Sequence, residues 1–190
     1  MLIFDIETDG LLDGTTQIHC MAVHDTATGK TVGFDPPTLE NGVRLLMDEL
    51  AQGEMIWGHN IIAFDIPALS TVYPDFVVSR EQREQIVDTL VLSRLIYSNL
   101  DTIDLGLMRS DRLPRRLYKS HSLRAWGYRL GEYKGDYGEQ EGAWEHYTPE
   151  MLDYCKQDVK VTTRLMERLQ RATYSEHAIR LEHDVQWLMA

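Results

Sequence analysis

The chain has 190 residues, of which 43% are hydrophobic, and its 19 basic and 30 acidic side chains give a formal net charge of -11. This size and composition are typical of one compact domain, and no apolar run of about 18 residues predicts a membrane-spanning helix. The acidic balance argues against tight, nonspecific binding to nucleic-acid duplexes. Cys20 and Cys155 have no CxxC partner, so we expect structural thiols in a reducing cytoplasm.

Three strands are predicted first in the chain. Leu2–Glu7, Ile18–His24 and Thr31–Phe34 are joined by short turns, which favours an antiparallel meander. Because the first strand begins at residue 2, no signal or transit peptide is expected before it. A helix over Leu39–Ala51 and a short buried strand over Met55–Gly58 follow.

The central part of the chain is predicted to be mainly helical. One helix begins near Asp65 and another covers Gln82–Ser98. Strands followed by alternating helices and strands predict the α/β class, with a mixed sheet flanked by helices.

The last third contains two more predicted helices. Thr148 as N-cap and Pro149 at the first helical position open an amphipathic helix that continues to about Arg171. A second amphipathic helix covers Ala178–Ala190 and reaches the end of the chain without a capping residue. The glycine-containing stretch 135–142 is predicted to be a mobile loop.

Two acids lie at the end of the first strand. Asp5 and Glu7 are two residues apart, so they share one face while Phe4 and Ile6 point to the other. Carboxylates this close repel each other, and a cation between them removes that cost. Hard divalent cations such as Mg²⁺ prefer such oxygen ligands. The alternative is an exposed strand end with two solvated acids.

A third acid, Asp65, follows the strand at Met55–Gly58. It lies just before Pro67, in the first turn of the predicted helix, where a carboxylate either binds a metal or caps the free amides of the helix start.

Tyr154 and Asp158 are four residues apart on the predicted helix after Pro149, so they share a face. This pair alone also fits a buried hydrogen bond or a solvated helix edge.

The three patterns occur in one order along the chain, and together they resemble a known family, the 3'-5' exonucleases of the DEDD (DnaQ-like) superfamily in their tyrosine subgroup. The matching motifs are Asp5-x-Glu7, Asn60-x-x-x-Phe64-Asp65 and Tyr154-x-x-x-Asp158. The stretches Asp88–Leu95 and Ser120–Gly131 are similar to the proofreading domain of T7-type phage DNA polymerases of family A. Gly135–Tyr147 departs from that pattern by being shorter.

The resemblance implies a ribonuclease H-like fold and two divalent metal ions, Mg²⁺ or Mn²⁺. By the same resemblance, Asp5 bridges both ions, Glu7 and Asp158 complete the first site, and Asp65 supports the second through water. Tyr154 is expected to orient the attacking water, because a phenol with a pKa near 10 positions water well and is a poor base at neutral pH.

The resemblance also implies substrate contacts. Thr8 and Leu11 are expected to meet the terminal nucleotide, with Leu11 wedged against the last base, and Asn60 and Phe64 belong to the second motif beside it. Packing of Leu11 in the core or a turn is the alternative.

Basic residues are concentrated in one segment, where Arg115 and Arg116 are candidates for guiding the phosphates of a single strand. A solvated loop and helix face is the alternative. The segment contains Arg109, Arg112, Arg115, Arg116, Lys119, Arg124 and Arg129.

The sequence therefore predicts a metal-dependent 3'-5' DNA exonuclease that acts on single-stranded or frayed ends and releases 5'-mononucleotides. The alternatives are an RNA-trimming exonuclease of the ribonuclease D type and a non-catalytic docking module. We expect an exonuclease domain over 1–173 and a connecting helix over 174–190 that leads to, or docks on, a family A polymerase in the cytoplasm of a phage-infected bacterium. No membrane partner is expected.

Overall fold

The computed structural model describes residues 1–133, 135, 137–139 and 142–190. The predicted mobile loop at 135–142 lies partly outside these ranges and stays a prediction. The strands are β1 (Leu2–Thr8), β2 (Ile18–Asp25), β3 (Lys30–Phe34), β4 (Ile56–Gly58) and β5 (Ile86–Asp88). The α-helices are α1 (Leu39–Ala51), α2 (Asp65–Val72), α3 (Thr89–Ile96), α4 (Asp101–Arg109), α5 (Leu123–Leu130), α6 (Pro149–Leu169) and α7 (Glu176–Met189).

The strands form one five-stranded sheet in the order β3-β2-β1-β4-β5. β1, β2 and β3 pair antiparallel, whereas β4 and β5 run parallel to β1. The predicted meander and mixed sheet are therefore confirmed. Because β1, β4 and β5 run in one direction, their carboxyl ends lie at the same edge of the sheet, near Glu7, Gly58 and Asp88.

Helices cover both faces of the sheet, as strand alternation requires for the central strand. Phe4 and Ile6 belong to a hydrophobic cluster with side chains of α1 and α2. Ile3 points to the other face and belongs to a second cluster with side chains of α3, α5 and α6. Within the described ranges, every helix is too short or too polar to cross a membrane.

The prediction of one continuous helix over Gln82–Ser98 is wrong. The stretch Gln82–Ser98 contains a short 3-10 helix, then strand β5, and only then helix α3. All three β5 residues are buried, so the strand has no alternation of polar and apolar residues by which sequence could reveal it. Asp88 ends β5 and caps α3 by accepting a hydrogen bond from the Leu90 amide at 2.8 Å.

The terminal helices differ slightly from their predicted bounds. α6 ends at Leu169, and α7 begins two residues earlier than predicted because the Ser175 hydroxyl accepts a hydrogen bond from the Ala178 amide.

One member of the basic segment has a structural role. The Arg129 side chain is almost fully buried and donates to both carboxylate oxygens of Asp104, at 2.8 and 2.9 Å. It also donates to the Ser120 carbonyl and lies over the Trp126 ring, 4.9 Å from its centroid. Arg129 is therefore held inside the protein and does not present its charge to a nucleic acid.

We expect Asp104→Ala to lower the free energy of unfolding by about 3–5 kcal/mol, because it leaves the buried Arg129 without its carboxylate. Urea denaturation measures this change. Asp101→Ala is the control, since Asp101 and Lys119 form an exposed ion pair of 2.9 Å that contributes little to stability. Equal effects of the two substitutions would contradict a structural role for the buried pair.

Candidate active site

The central strand presents two acids at its carboxyl end. Asp5 and Glu7 are half-buried and lie on the same face of β1 as Ile3, which is the face that α6 covers. The predicted shared face of the two carboxylates is therefore present.

The second motif brings another carboxylate to the same strand. Asp65 is the first residue of α2, is 4% exposed, and accepts a hydrogen bond from the Ile6 amide at 3.2 Å. Since Ile6 lies between Asp5 and Glu7, this bond places Asp65 beside both of them.

A fourth carboxylate, Asp158 of α6, lies close enough for its charge to act on Asp65. Burial raises the pKa of Asp65, the Ile6 amide opposes the shift, and the negative charges of Asp88 and Asp158 add to it, so that the pKa is about 7. Asp158 is itself only 2% exposed, on the buried side of α6. Sequence positions 5, 7, 65 and 158 thus meet at one edge of the sheet.

Cys155 also reaches this cluster, although sequence reasoning treated it only as a structural thiol. Its Sγ lies 3.3 Å from the Asp5 carbonyl oxygen and 3.7 Å from Asp5 Oδ2. Potential ligand atoms of Asp5, Glu7 and Cys155 all lie within 4.8 Å of one another. Its position directly after Tyr154, in the apolar stripe of α6, was the available signal.

The Cys155 thiol is kept protonated by its surroundings. Burial raises its pKa well above the usual value, as do the neighbouring Cys20 thiol and the negative charges of Asp5 and Glu7. Both cysteines are buried and free, as expected from the sequence.

Tyr154 lies half-buried one turn before Asp158 on α6. Its ring packs against Tyr137 and Trp144, with centroids 5.7 and 5.9 Å away. The Tyr137 hydroxyl in turn bonds to the Ala143 carbonyl and the Thr148 hydroxyl, each at 3.0 Å. The segment before α6 therefore limits the orientations open to the Tyr154 ring.

The donor set fits divalent cations. Four carboxylates lie near one another in a partly buried site, where burial first and neighbouring negative charge second raise the pKa of Asp65. Carboxylate oxygens are the ligands that Mg²⁺ and Mn²⁺ prefer, and a cation offsets the repulsion among them.

The predicted substrate contacts lie around this edge in different environments. Thr8 is buried and donates to the Gly10 carbonyl at 2.8 Å. Leu11 is 84% exposed, so it does not pack in the core, and its carbonyl accepts a hydrogen bond from the Gly14 amide in a turn. Asn60 has a left-handed backbone with φ of 67°, and Phe64 is half-buried directly before Asp65.

The predicted phosphate contacts lie on the surface. Arg115 and Arg116 are exposed in a short 3-10 helix, Arg115–Leu117, between α4 and α5. Their proposed role in guiding a strand stays a prediction.

Comparison with known proteins agrees with this architecture. A family model for the RNase H superfamily matches residues 2–170. The chain belongs to the RNase H superfamily. It is 37% identical, over its whole length, to DNA-directed DNA polymerases of Escherichia phage T7 and Enterobacteria phage T3. It spans 32% of the length of each of these curated relatives.

A solved structure also shares the superfamily fold. A protein described as the apo form of the nuclease matches with a TM-score of 0.59 at 20% identity, covering 99% of this chain and 83% of that one. At this identity the match shows the fold alone. The RNase H-like fold and the phage polymerase relatives together support a nuclease role, and RNase H-like nucleases usually use divalent metals.

In the presence of EDTA, we expect the stability difference between the wild type and Asp65→Asn to depend on pH. The folded pKa of Asp65, about 7, exceeds its unfolded value, so the folded state binds the extra proton. The wild type therefore loses stability relative to the variant as pH rises from about 4 to 7. Urea denaturation at several pH values measures the free energy of unfolding of both proteins. If this free energy changes with pH in the same way in both, the Asp65 carboxylate is not buried near other negative charges.

Proposed function

We propose that this chain is a metal-dependent 3'-5' exonuclease of single-stranded or frayed DNA ends that releases 5'-mononucleotides. The observation that carries the proposal is the meeting of Asp5, Glu7, Asp65 and Asp158 at the carboxyl end of β1, with Tyr154 one helical turn from Asp158. Four carboxylates at one edge of a sheet are more typical of a metal-dependent phosphoryl-transfer site than of a packed core.

The carboxylates are proposed to hold two divalent ions, Mg²⁺ or Mn²⁺. By the family resemblance, Asp5 would serve both ions, Glu7 and Asp158 would hold one of them, and Asp65 would support the other. When bound, such ions supply charge neutralisation at the phosphate and a water of lowered pKa.

The protein's own side chains then position the reactants. Tyr154 donates or accepts a hydrogen bond that orients the attacking water, and its packing against Tyr137 and Trp144 lowers the entropy lost on doing so. The Ile6 amide and the Cys155 thiol hold the Asp65 and Asp5 carboxylates in place.

The substrate end is proposed to lie between the first and second motifs. The exposed Leu11 side chain is free of the core and suits contact with the terminal base. The backbone near Thr8 binds the 3' hydroxyl, and Asn60 and Phe64 flank the nucleotide. Arg115 and Arg116 guide the phosphates of the strand that leads to the site.

A family A polymerase is the proposed partner, as a further domain or a separate subunit. Support comes from the two phage DNA-directed DNA polymerases, and from the exposed apolar face of α7. That face presents Leu181, Val185, Leu188 and Met189. On this proposal α7 belongs to a connecting segment over 174–190 that follows an exonuclease domain over 1–173, and the enzyme works in the cytoplasm of a phage-infected bacterium.

We expect 5'-labelled single-stranded DNA to be shortened from its 3' end in Mg²⁺ or Mn²⁺, and EDTA to stop the reaction. Asp5→Ala abolishes hydrolysis, whereas Tyr154→Phe slows it by about 10- to 1000-fold because the water is less well oriented. Gel electrophoresis of the products measures both effects.

Asp153→Ala is the matched control for this assay, because Asp153 is an exposed acid beside Tyr154 whose carboxylate pairs with Lys156. It retains wild-type activity. Full activity of Asp5→Ala would contradict the site, while cleavage of a matched RNA in preference to DNA would favour the ribonuclease D-like alternative. An intact label with every divalent ion would favour the non-catalytic docking module.

We expect the double variant Arg115→Ala, Arg116→Ala to bind single-stranded DNA more weakly and with a salt dependence reduced by roughly one to two ion contacts. Titration by fluorescence anisotropy in Ca²⁺ at several salt concentrations measures the slope. The control is Lys30→Ala, Arg44→Ala, which removes two exposed charges elsewhere on the surface. An unchanged slope in the first variant would return Arg115 and Arg116 to an ordinary solvated surface.

A further inference from the structure

Asp88 is a buried carboxylate outside the proposed ligand set, and it binds the segment that carries the second motif. It is 1% exposed and accepts hydrogen bonds from the amides of Asn60, Ile62 and Leu90 at 2.8, 3.2 and 2.8 Å. Only the bond to Leu90 caps its own helix. The other two cross from β5 to the segment between β4 and Asp65.

That segment requires external support. Asn60 has a positive φ of 67°, an unfavourable conformation for a residue with a side chain, although asparagine tolerates it better than most. A Cβ at Gly58 would overlap Ile61 and approach the Phe4 carbonyl oxygen to 2.9 Å, so the backbone turns against β1 with no room to relax.

The residue after Asp88 makes a second set of links to the same segment. The Thr89 hydroxyl donates to the Gly58 carbonyl at 3.0 Å and lies 2.9 Å from His59 Nδ1. Residues 58–62 are thus tied to the β5–α3 junction at four points, three to seven residues before Asp65.

A histidine of the C-terminal helix completes this network. The Asp88 amide donates to His183 Nε2 at 2.9 Å, and His183 Nδ1 lies 2.8 Å from the Ile179 carbonyl. Because a backbone amide only donates and a carbonyl only accepts, Nε2 carries no proton and Nδ1 carries one. His183 is therefore neutral in this arrangement, and it connects α7 directly to the residue that holds the second motif.

We propose that Asp88 is a positioning residue for the proposed metal ligand Asp65. On this proposal His183 holds Asp88 in place, so the position of Asp65 also depends on the position of α7. Movement of α7 would remove the acceptor of the Asp88 amide and disturb the carboxylate that fixes residues 60–62. A change in the position of α7 would therefore alter the position of Asp65 in the proposed metal site. This inference rests on the proposed function, since it assigns a purpose to the placement of Asp65.

The first test is Mn²⁺ binding to Asp88→Asn without DNA, measured by the loss of the free-ion electron paramagnetic resonance signal. In this variant the side-chain NH₂ of Asn replaces one carboxylate oxygen, so one of the backbone N–H groups loses its acceptor. We expect the affinity for Mn²⁺ to fall on the order of 10-fold or more. Asp104→Asn is the matched control, because it changes an equally buried carboxylate in the ion pair with Arg129 and leaves the 58–62 segment untouched. Its Mn²⁺ affinity equals that of the wild type.

The second test separates position from charge, because Asp88→Asn also removes a negative charge near the site. His183→Phe leaves the charge of Asp88 in place and removes the acceptor of the Asp88 amide together with the donor to the Ile179 carbonyl. We expect Mn²⁺ affinity to fall roughly threefold or more. His183→Gln restores an acceptor at the same end of the side chain and returns the affinity toward the wild-type value.

The outcomes are distinguishable. If the wild type binds no Mn²⁺, the proposed metal-dependent function fails. If the wild type binds Mn²⁺ while Asp88→Asn and His183→Phe bind it as tightly as Asp104→Asn does, the function stands and the positioning role of Asp88 and His183 is wrong.

Discussion

Four carboxylates lie near one another at the carboxyl end of β1, and the folded protein must offset their mutual repulsion. Asp5 and Glu7 lie on the buried side of the sheet, Asp65 accepts from the amide between them, and Asp158 approaches from α6. Such a cluster costs free energy in the folded protein, and burial together with the negative charges of Asp88 and Asp158 raises the pKa of Asp65. A divalent cation offsets this cost, which is why an arrangement unfavourable for stability suits a metal site.

The scaffold opposes this repulsion with groups that are neutral or buried. Backbone amides hold the carboxylates of Asp65 and Asp88, and the protonated Cys155 thiol contacts Asp5. Each of these groups comes from a different part of the chain: β1, the β4–α2 segment, or α6. The site is therefore as rigid as the packing between those elements, and the two hydrophobic clusters on either face of the sheet supply that packing.

The charge distribution is compatible with the proposed nucleic-acid substrate despite the acidic balance of the chain. The net charge of -11 disfavours nonspecific binding, and part of it belongs to the carboxylate cluster that a cation would neutralise. Within the basic segment, the charge of Arg129 is buried in an ion pair with Asp104. Arg115 and Arg116 remain on the surface, so the attraction for a strand is proposed to be local and not spread over the whole molecule.

Strand alternation, helix periodicity and capping residues are local signals, so the meander, the helices α1, α2 and α6, and the three motifs were predictable without a structure. The sequence also predicted which acids would share a face, since that follows from spacing within one element. Three contacts were found only in the folded chain, namely those of Asp65 with Ile6, Cys155 with Asp5 and His183 with Asp88. These contacts join residues that are 59 to 150 positions apart in the sequence, so no local pattern predicts them. Strand β5 could not be predicted either, because it has only three residues and all of them are buried.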